Sequence, residues 1–328
     1  MDVIGFGALN LDVIHRLDDV EEAGLYPGAE VIGEPGGMDQ LSATLQRLGG
    51  PPVSVSPGGS AANTVAALRS MGLLTGYVGA VGEDEAAPVL AGGLGDPDYL
   101  GLVRRGRSGR TVIAVGPDGD RSITVFPNAN DTFAPGDVDH LLLARARVVH
   151  MSAFVGDLPL QAQVEAVRRL PRDVRVSLDP GALYALRGVE GIAPLLERAD
   201  VVMPGEGELL MMTGARDRGE GAEMLMDAGA GTVVVKLGPM GIHTYWDGGE
   251  HQLFTEPVPV EGDSVGAGDV ADAGYLAGML AGLGPPDCTV LAHVCAVESL
   301  AGHGREAYPG RPLLVAFLDE VRARGGWR

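Results

Sequence analysis

The spacing of apolar residues predicts that strands and helices alternate along most of the chain. Short apolar runs typical of buried strands recur at 3–8, 75–80, 148–152, 175–179, 201–204 and 232–237. Stretches with helical spacing lie at 38–48, 62–71, 159–170, 206–213, 220–228, 266–280, 286–301 and 311–324. Strands that alternate with helices in this way predict a mostly parallel sheet with helices on both faces.

Four further strand-like segments interrupt this alternation. They are 13–17 and 30–34, around the turn Tyr26-Pro27-Gly28, and 110–115 and 122–126, around the turn Pro117-Asp118-Gly119-Asp120. The second pair has the pattern of a hairpin, which does not belong in a βαβ arrangement. We therefore expect these strands to form a small sheet that stands apart from the main one.

Charge and composition exclude several classes of function. The 328 residues carry a formal net charge of −20, which argues against nucleic-acid binding because that needs a basic surface. The sequence contains no apolar run of about 18 residues, so no membrane partner is expected. The chain begins on a strand pattern rather than a signal peptide, and Cys288 and Cys295 are interpreted as buried thiols. A cytoplasmic location follows from these expectations.

The segment with the most chemical content is Glu261 to Asp269, which runs into an apolar helix. Gly266, Ala267 and Gly268 open this helix, where unpaired N–H groups and the helix dipole favour an anion. The carboxylate of Asp269 beside such a turn can accept a proton from a nucleophile that attacks a bound phosphate. The alternative is a glycine-rich turn whose Asp only caps the helix, and these residues alone leave both interpretations open.

Two other segments place polar residues next to predicted element ends. Pro57-Gly-Gly-Ser60 leads into a helix, for which Ser60 is the expected N-cap, and Asn63 can both donate and accept hydrogen bonds. Asn10 and Asp12 follow the first strand and point to one side of the chain. An ordinary strand-to-helix turn and an exposed strand end are the structural alternatives.

Together, these segments resemble the ribokinase/PfkB family of sugar and nucleoside kinases in their order and spacing. The matching stretches are GALNLD, PGGSAANTVAALRSMGLLTGYVGAVGED, SLDPG, VVVKLGPMG and GDSVGAGD, within residues 3 to about 318. The resemblance implies a doubly wound α/β core, ribokinase-like, with a small β-sheet lid. We assign 1–12, 35–100 and 127–328 to the core, and 13–34 and 101–126 to the lid.

The resemblance also implies a role for each candidate residue in an ATP- and Mg²⁺-dependent phosphotransferase. Asp269 would be the base, and the turn of Gly266, Ala267 and Gly268 the anion hole. Substrate would be bound by Asn10, Asp12, Gly58, Gly59 and Asn63, and the nucleotide by Lys236, Gly238, Gly241, Ser264, His293 and Gly304. Glu208 would hold Mg²⁺ through water, and Asp263 and Val265 a potassium-like cation. A homodimer through the lid is also expected, because unpaired strand edges invite pairing.

Some positions depart from the family pattern and bear on the substrate. Gly205 replaces the Asn of an Asn-x-x-Glu motif, and 150–154 offers no carboxylate, which counts against ribose itself. The segment 25–55 resembles adenosine kinases, which keeps a nucleoside acceptor open. Aromatic residues are scarce, and we interpret Phe126 and Phe154 as core residues, so a sugar or sugar-like acceptor is favoured. A non-catalytic ligand-binding relative is the remaining alternative.

Lys236 is the only lysine among 24 basic residues. A compact ammonium can fit where a planar guanidinium cannot, which favours a contact with nucleotide phosphates. The alternative is a lysine at the end of a buried strand with no functional contact.

Overall fold

Two sheets and the helices around them make up the fold, which is known from a computed structural model that describes residues 1–18, 30–33, 38–116, 121–258, 260 and 265–325. The strands are β1 (Val3–Phe6), β2 (Asn10–Arg16), β3 (Glu30–Ile32), β4 (Ser54–Gly58), β5 (Thr75–Val81), β6 (Leu100–Arg104), β7 (Gly109–Val115), β8 (Arg121–Phe126), β9 (Val148–Ser152), β10 (Arg175–Asp179), β11 (Val201–Val202), β12 (Thr232–Lys236), β13 (Gly241–Trp246) and β14 (Gly249–Phe254). The helices are α1 (Met38–Leu48), α2 (Ser60–Ser70), α3 (Ala86–Ala91), α4 (His140–Leu143), α5 (Asp157–Arg169), α6 (Gly181–Ala185), α7 (Gly188–Gly191), α8 (Ala193–Leu196), α9 (Glu206–Thr213), α10 (Arg218–Asp227), α11 (Ala267–Leu280), α12 (Pro285–Ser299) and α13 (Arg311–Ala323).

The large sheet has the order β14-β13-β12-β11-β10-β9-β1-β5-β6. Its strands from β12 to β6 are parallel, and only β13 and β14 run antiparallel to their neighbours. Neighbouring side chains enter separate cores on the two faces, Val149 and Val233 on one and Val148 and Val234 on the other. Helix α5 covers the first face, and α11 and α12 cover the second. The predicted doubly wound, mostly parallel sheet is confirmed.

The hairpin of β13 and β14 was not predicted. Its two strands are joined by Asp247 and Gly248, and Gly248 has a positive φ of 86°. A two-residue Asp-Gly connection between strands is a strong hairpin signal. The sequence analysis missed this hairpin because β13 and β14 contain too many polar residues for the apolar pattern to predict buried strands.

The small sheet has the order β3-β8-β7-β2-β4, and it contains all four strand-like segments that the sequence set apart. The two predicted turns, at 26–28 and 117–120, lie outside the described residues. One face of the small sheet packs against helix α1, through Leu41 and Leu48 of the helix and Val112, Ala114 and Phe126 of the sheet.

Three strands lie in a different sheet from the one that the proposed core and lid ranges imply. Strand β2 already pairs in the small sheet from Asn10, and β4 also belongs to the small sheet although it lies within 35–100. Strand β6 belongs to the large sheet, where it pairs with β5. Both β4 and β6 are edge strands with few buried side chains, and β4 has no apolar run in its sequence. The division into two domains itself stays a prediction.

None of the helices in the described ranges is long and apolar enough to span a membrane.

Candidate active site

The helix α11 starts with a glycine that its backbone conformation requires. Gly266 is the N-cap, with φ of 82° in the left-handed region, and its carbonyl accepts from Val270 N at 2.9 Å. Ala267 and Gly268 are the first helical residues, so their N–H groups have no partner inside the helix. This is the geometry of the anion-binding turn that the sequence predicted.

Asp269 lies in the first turn of α11 and bonds outside its own helix. Its Oδ2 accepts from Asn63 Nδ2 at 2.9 Å, and its backbone carbonyl accepts from Thr64 Oγ1 at 3.0 Å. Burial, with a smaller contribution from Asp179, raises the pKa of Asp269 to about 7 against the opposing effects of Asn63 and Lys236. A carboxyl group with this pKa can exchange a proton near neutral pH.

The start of helix α2 differs from the sequence expectation. The helix begins at Ser60 with Gly59 as N-cap, and no side chain caps it, so the prediction of Ser60 as N-cap was wrong. Gly59 has φ of 106°, and a Cβ there would lie 2.2 Å from Ala8 O. The close passage of the two backbones therefore requires glycine at the capping position.

A cavity of about 350 Å³ opens in front of Asp269, between the small sheet and the carboxyl ends of the main strands. Its polar lining is Asn10, Asp12, Ser60, Asn63, Thr111, Asn130, Asp179, Glu208 and Asp269. Its apolar lining includes Ile123, Val125, Val155 and Leu183. The structure thus brings Asn10, Asp12, Gly59 and Asn63 together with Gly266, Gly268 and Asp269, and we call this space the acceptor cavity.

The sequence analysis missed several polar residues that line the acceptor cavity, among them Asn130, Thr111 and Asp179. Asn130 is 1% exposed; it donates to Asn10 Oδ1 at 2.9 Å and bonds both backbone groups of Leu9. Thr111 on β7 hydrogen-bonds to Asp12. The polar run Asn128-Ala-Asn130 after β8 was the available signal for the first of them.

Asp12 is held in a narrow space behind Gly58. Burial raises the pKa of Asp12 to about 7, against the hydrogen bond from Thr111 and the charge of Arg305. Gly58 does not line the cavity, but a Cβ on it would lie 1.9 Å from Asp12 Oδ2. The glycine at 58 therefore makes room for the carboxylate of Asp12.

We predict that Gly58→Ala raises the KM for the acceptor about tenfold and leaves the KM for ATP unchanged. The added methyl group must displace the Asp12 carboxylate, and one lost hydrogen bond to a charged group, about 1.4 kcal/mol, is a factor of about ten. Initial rates with each substrate varied in turn measure both constants. Gly136→Ala is the matched control, because no atom lies within 4 Å of the Cβ it would add. An unchanged acceptor KM in Gly58→Ala contradicts the role of Asp12.

A second cavity, of about 450 Å³, lies on the other side of the turn. It is mostly apolar and is lined by Lys236, Gly238, Pro239, Gly241, Ile242, Thr255, Glu256, Val258, Val260, Ala267, Gly268, Ala271, His293, Ala296, Val297 and Leu300. It meets the acceptor cavity at Gly268, which lines both. We call it the nucleotide cavity, because an apolar cavity that ends at a turn suited to anion binding could hold a purine nucleotide.

Four of the six residues predicted to bind nucleotide line this cavity: Lys236, Gly238, Gly241 and His293. Gly304 lines neither cavity and lies instead near Ser56 of β4. Ser264, together with Asp263 of the predicted cation site, falls outside the described residues. Val265, the other residue of that pair, lines the acceptor cavity.

Lys236 is paired with two carboxylates beneath the turn. Its Nζ lies 3.1 Å from Asp272 Oδ1 and 3.5 Å from Asp179 Oδ2. Burial lowers the pKa of Lys236, but Asp179 and Asp272 outweigh it and hold the ammonium charged. Burial also raises the pKa of Asp272, which is 1% exposed, well above its usual range. A Cβ on Gly268 would lie 3.7 Å from Nζ, so the ammonium stands beside the anion-binding turn.

The residues near Glu208 fit a magnesium ion that is held mainly by phosphate oxygens and water. Glu208 lines the acceptor cavity, and its Oε2 accepts from Gly205 N at 2.7 Å. Within the described ranges, no three His, Cys, Asp or Glu side chains form a group that could bind a metal directly. A single carboxylate with outer-shell contacts is the usual protein contribution to a nucleotide-bound Mg²⁺.

Comparisons with known proteins point to one family. A family model described as pfkB family carbohydrate kinase matches residues 43–308. An uncharacterized sugar kinase of Archaeoglobus fulgidus is 31% identical over 250 residues, which are 74% of this chain and 98% of the relative. An ATP-dependent ribose-1-phosphate kinase of Halopiger xanaduensis is 26% identical over 326 residues, 97% of this chain and 98% of the relative.

Solved structures share the fold over nearly the whole chain. The adenosine kinase from Sinorhizobium meliloti has a TM-score of 0.82 at 23% identity, covering 97% of this chain and 99% of its own. An Escherichia coli protein described as a putative ribokinase II, in complex with ATP and Mg²⁺, has a TM-score of 0.77 at 19% identity, covering 97% and 99%. Since the family model covers well over half of the residues, the chain belongs to the pfkB family of carbohydrate kinases.

Proposed function

We propose that the protein transfers the γ-phosphoryl group of ATP to a hydroxyl of a sugar or sugar-like acceptor, with Asp269 as the general base. The observation that supports this most is the position of Asp269. It lines the acceptor cavity within one residue of Gly268, where the two cavities meet, and its pKa is near 7. A base at this junction can reach an acceptor hydroxyl on one side and a phosphoryl group on the other.

In this proposal the acceptor is held by hydrogen bonds and loses its proton to the carboxylate. Asn10, Asp12 and Asn63 bind acceptor hydroxyls, which orients one of them toward Asp269. The N–H groups of Ala267 and Gly268, with Lys236 beside them, stabilise the charge that develops on the transferring group. The small sheet covers the acceptor cavity and excludes water when it closes.

Magnesium and ATP enter the proposal through the residues that fit them. ATP would lie in the nucleotide cavity, with its phosphates toward Gly268 and Lys236. Mg²⁺, when bound, supplies charge neutralisation on the phosphates, and Glu208 would hold it through water. A potassium-like cation at Val265 and Asp263 stays part of the proposal.

The acceptor class rests on the chemistry of the lining. The polar side of the acceptor cavity suits a polyol, and no aromatic residue is among its described lining residues. Phe126 and Phe154 are 1% and 0% exposed, so they belong to the cores, as the sequence indicated; Tyr26 lies outside the described residues. A sugar is therefore the first candidate.

A nucleoside is the second candidate, and a specific observation supports it. Ile123 and Val125 of β8, with Val155 and Leu183 opposite, give the cavity an apolar side that a free sugar does not need. A base could lie against these aliphatic side chains while the ribose hydroxyls bind the polar side.

We predict that a free sugar or sugar-like polyol has a higher kcat/KM than any nucleoside. The measurement is ATP consumption in a coupled assay, over hexoses, pentoses and keto-sugar acids beside adenosine, cytidine, inosine and guanosine, under one set of conditions. A nucleoside preferred by more than about 10²-fold, roughly 2.7 kcal/mol of transition-state binding, overturns the sugar assignment. If none of these acceptors supports ATP consumption, the kinase assignment is contradicted for this set of compounds.

Assembly and location remain proposals of the same kind. The small sheet exposes Val31, Ile32 and Val55 on its edge strands β3 and β4, which supports a homodimer through the lid. The two cysteines are free and buried, as predicted, which suits a cytoplasmic protein. An ATP-dependent reaction is also expected in that compartment.

A further inference from the structure

Arg305 lies in the loop between α12 and α13 and reaches back to the start of α2. Its Nε and Nη2 donate to Asn63 Oδ1 at 3.3 and 3.1 Å. The two residues are 242 positions apart in the chain. Arg305 is half-buried and does not line either cavity, so it stands behind Asn63 as seen from the acceptor.

The contact fixes which way the amide of Asn63 faces. A guanidinium has only donors, so it can bind only the carbonyl oxygen of the amide. The amide nitrogen then faces the opposite side, where it donates to Asp269 Oδ2 at 2.9 Å. If the amide turned over, its N–H groups would face Arg305 and its oxygen would face the Asp269 carboxylate, which are both repulsive contacts.

We infer that Arg305 is a positioning residue that sets the protonation of the base through Asn63, an inference that rests on the proposed role of Asp269. A hydrogen bond donated to the ionised carboxylate stabilises it, so the bond from Asn63 lowers the pKa of Asp269. Without Arg305 the amide is free to rotate and this stabilisation is lost in part.

Other titratable groups also act on Asp269, and the substitution leaves them in place. They are Asp12 on β2, Tyr77 on β5, Asp179 at the end of β10, Lys236 at the end of β12, Asp272 on α11, and Tyr308 in the same loop as Arg305. Arg305 itself lowers the pKa of Asp12 by its charge. The effect through the amide must therefore be separated from the effect of the charge alone.

The test is the titration of Asp269 in Arg305→Met. It is measured by NMR of ¹³C-labelled aspartate carboxyls and by the pH profile of kcat/KM. We expect the pKa of Asp269 and the acidic limb to move to higher pH by about one unit. Arg305→Lys, which keeps a donor and the charge, should restore about half of the shift. In an Asn63→Ala background, Arg305→Met should add only a smaller shift. The exposed Arg311→Met, six positions along, is the control and should leave both curves unchanged.

The outcomes separate this inference from the proposed function. A raised pKa of Asp269 in Arg305→Met, with a smaller shift in the Asn63→Ala background, upholds the coupling even if no acceptor is phosphorylated. An unchanged pKa in a folded Arg305→Met, with kinase activity intact, overturns the inference alone. An equal shift in the Asn63→Ala background also overturns it, because the charge would then act without the amide. Urea unfolding checks the fold, and Arg305→Gln replaces the Met variant if that chain does not fold.

Discussion

Asp269→Asn is expected to lower kcat by about 10²–10⁴-fold and to leave the apparent affinity for ATP within about twofold of the unsubstituted protein. The amide keeps the shape of the side chain but cannot accept the proton of the acceptor hydroxyl. The nucleotide cavity is lined by Ala267 and Gly268 rather than by Asp269, so nucleotide binding should be retained. Single-turnover rates with saturating acceptor measure the chemical step.

The pH dependence provides an independent check on the same residue. Because the pKa of Asp269 is about 7, kcat/KM for the acceptor should fall below this pH and level off above it. Asp12 also has a pKa of about 7, so Asp269→Asn should keep an acidic limb from acceptor binding and lose the one from the base. Turnover near that of the unsubstituted protein in Asp269→Asn excludes the base assignment.

Loss of activity in this variant should not be confused with loss of fold. The pKa of Asp269 is higher in the folded chain than the ordinary value of 3.8. The folded state therefore binds the proton more tightly, and ionisation of Asp269 costs stability as the pH rises from about 4 through about 7. Asp269→Asn should consequently be at least as stable as the unsubstituted protein above pH 7. The exposed Asp173→Asn is the control for both measurements.

The glycine-rich parts of the site could be predicted because their signals are local. The positive φ angles at Gly59 and Gly266 belong to short glycine-containing segments that can be recognised in the sequence. The same segments also start the two helices that hold Asn63 and Asp269. The main sheet was predictable for a related reason, since strands covered on both faces leave continuous apolar runs in the sequence.

The side chains that support the site could not be predicted from local pattern. Asp272 lies among apolar residues on a buried helix, and nothing nearby in the sequence indicates that Lys236, 36 positions away, pairs with it. Arg305 and Asn130 reach their partners over 242 and 120 positions. Their roles come from tertiary packing, which brings the ends of distant elements to one edge of the sheet.

Strands β4 and β6 were not predicted from the sequence, for a different reason. Both lie at sheet edges, where a strand needs few buried side chains to pair with its one neighbour. Strand β4 also contains Pro57, a residue that sequence reasoning treats as evidence against a strand. Its pairing with β2 nevertheless places Gly58 beside Asn10 and Ser56 beside Asp12, so this edge strand supports two residues that line the acceptor cavity.

Lys236→Met is expected to lower kcat/KM for ATP about 10²-fold, through a higher KM for ATP or a lower kcat. It is also expected to lower the free energy of unfolding by about 3–5 kcal/mol at pH 8. The catalytic loss follows from removing the ammonium beside the anion-binding turn. The loss of stability follows from leaving Asp272 buried without its cation. Asp272 can then take up a proton, so the destabilisation should shrink as the pH is lowered.

A double variant separates these two effects of Lys236. Lys236→Met with Asp272→Leu replaces the closer ion pair by apolar side chains and leaves only Asp179 without the cation, so it should recover part of the lost free energy of unfolding. It should not recover kcat/KM for ATP, because no positive charge returns to the turn. Urea unfolding and initial-rate kinetics on the four proteins of the cycle measure the two terms. If activity recovers together with stability, or if Lys236→Arg binds ATP with unchanged affinity, Lys236 is a structural partner of Asp272 and not a ligand of the phosphates.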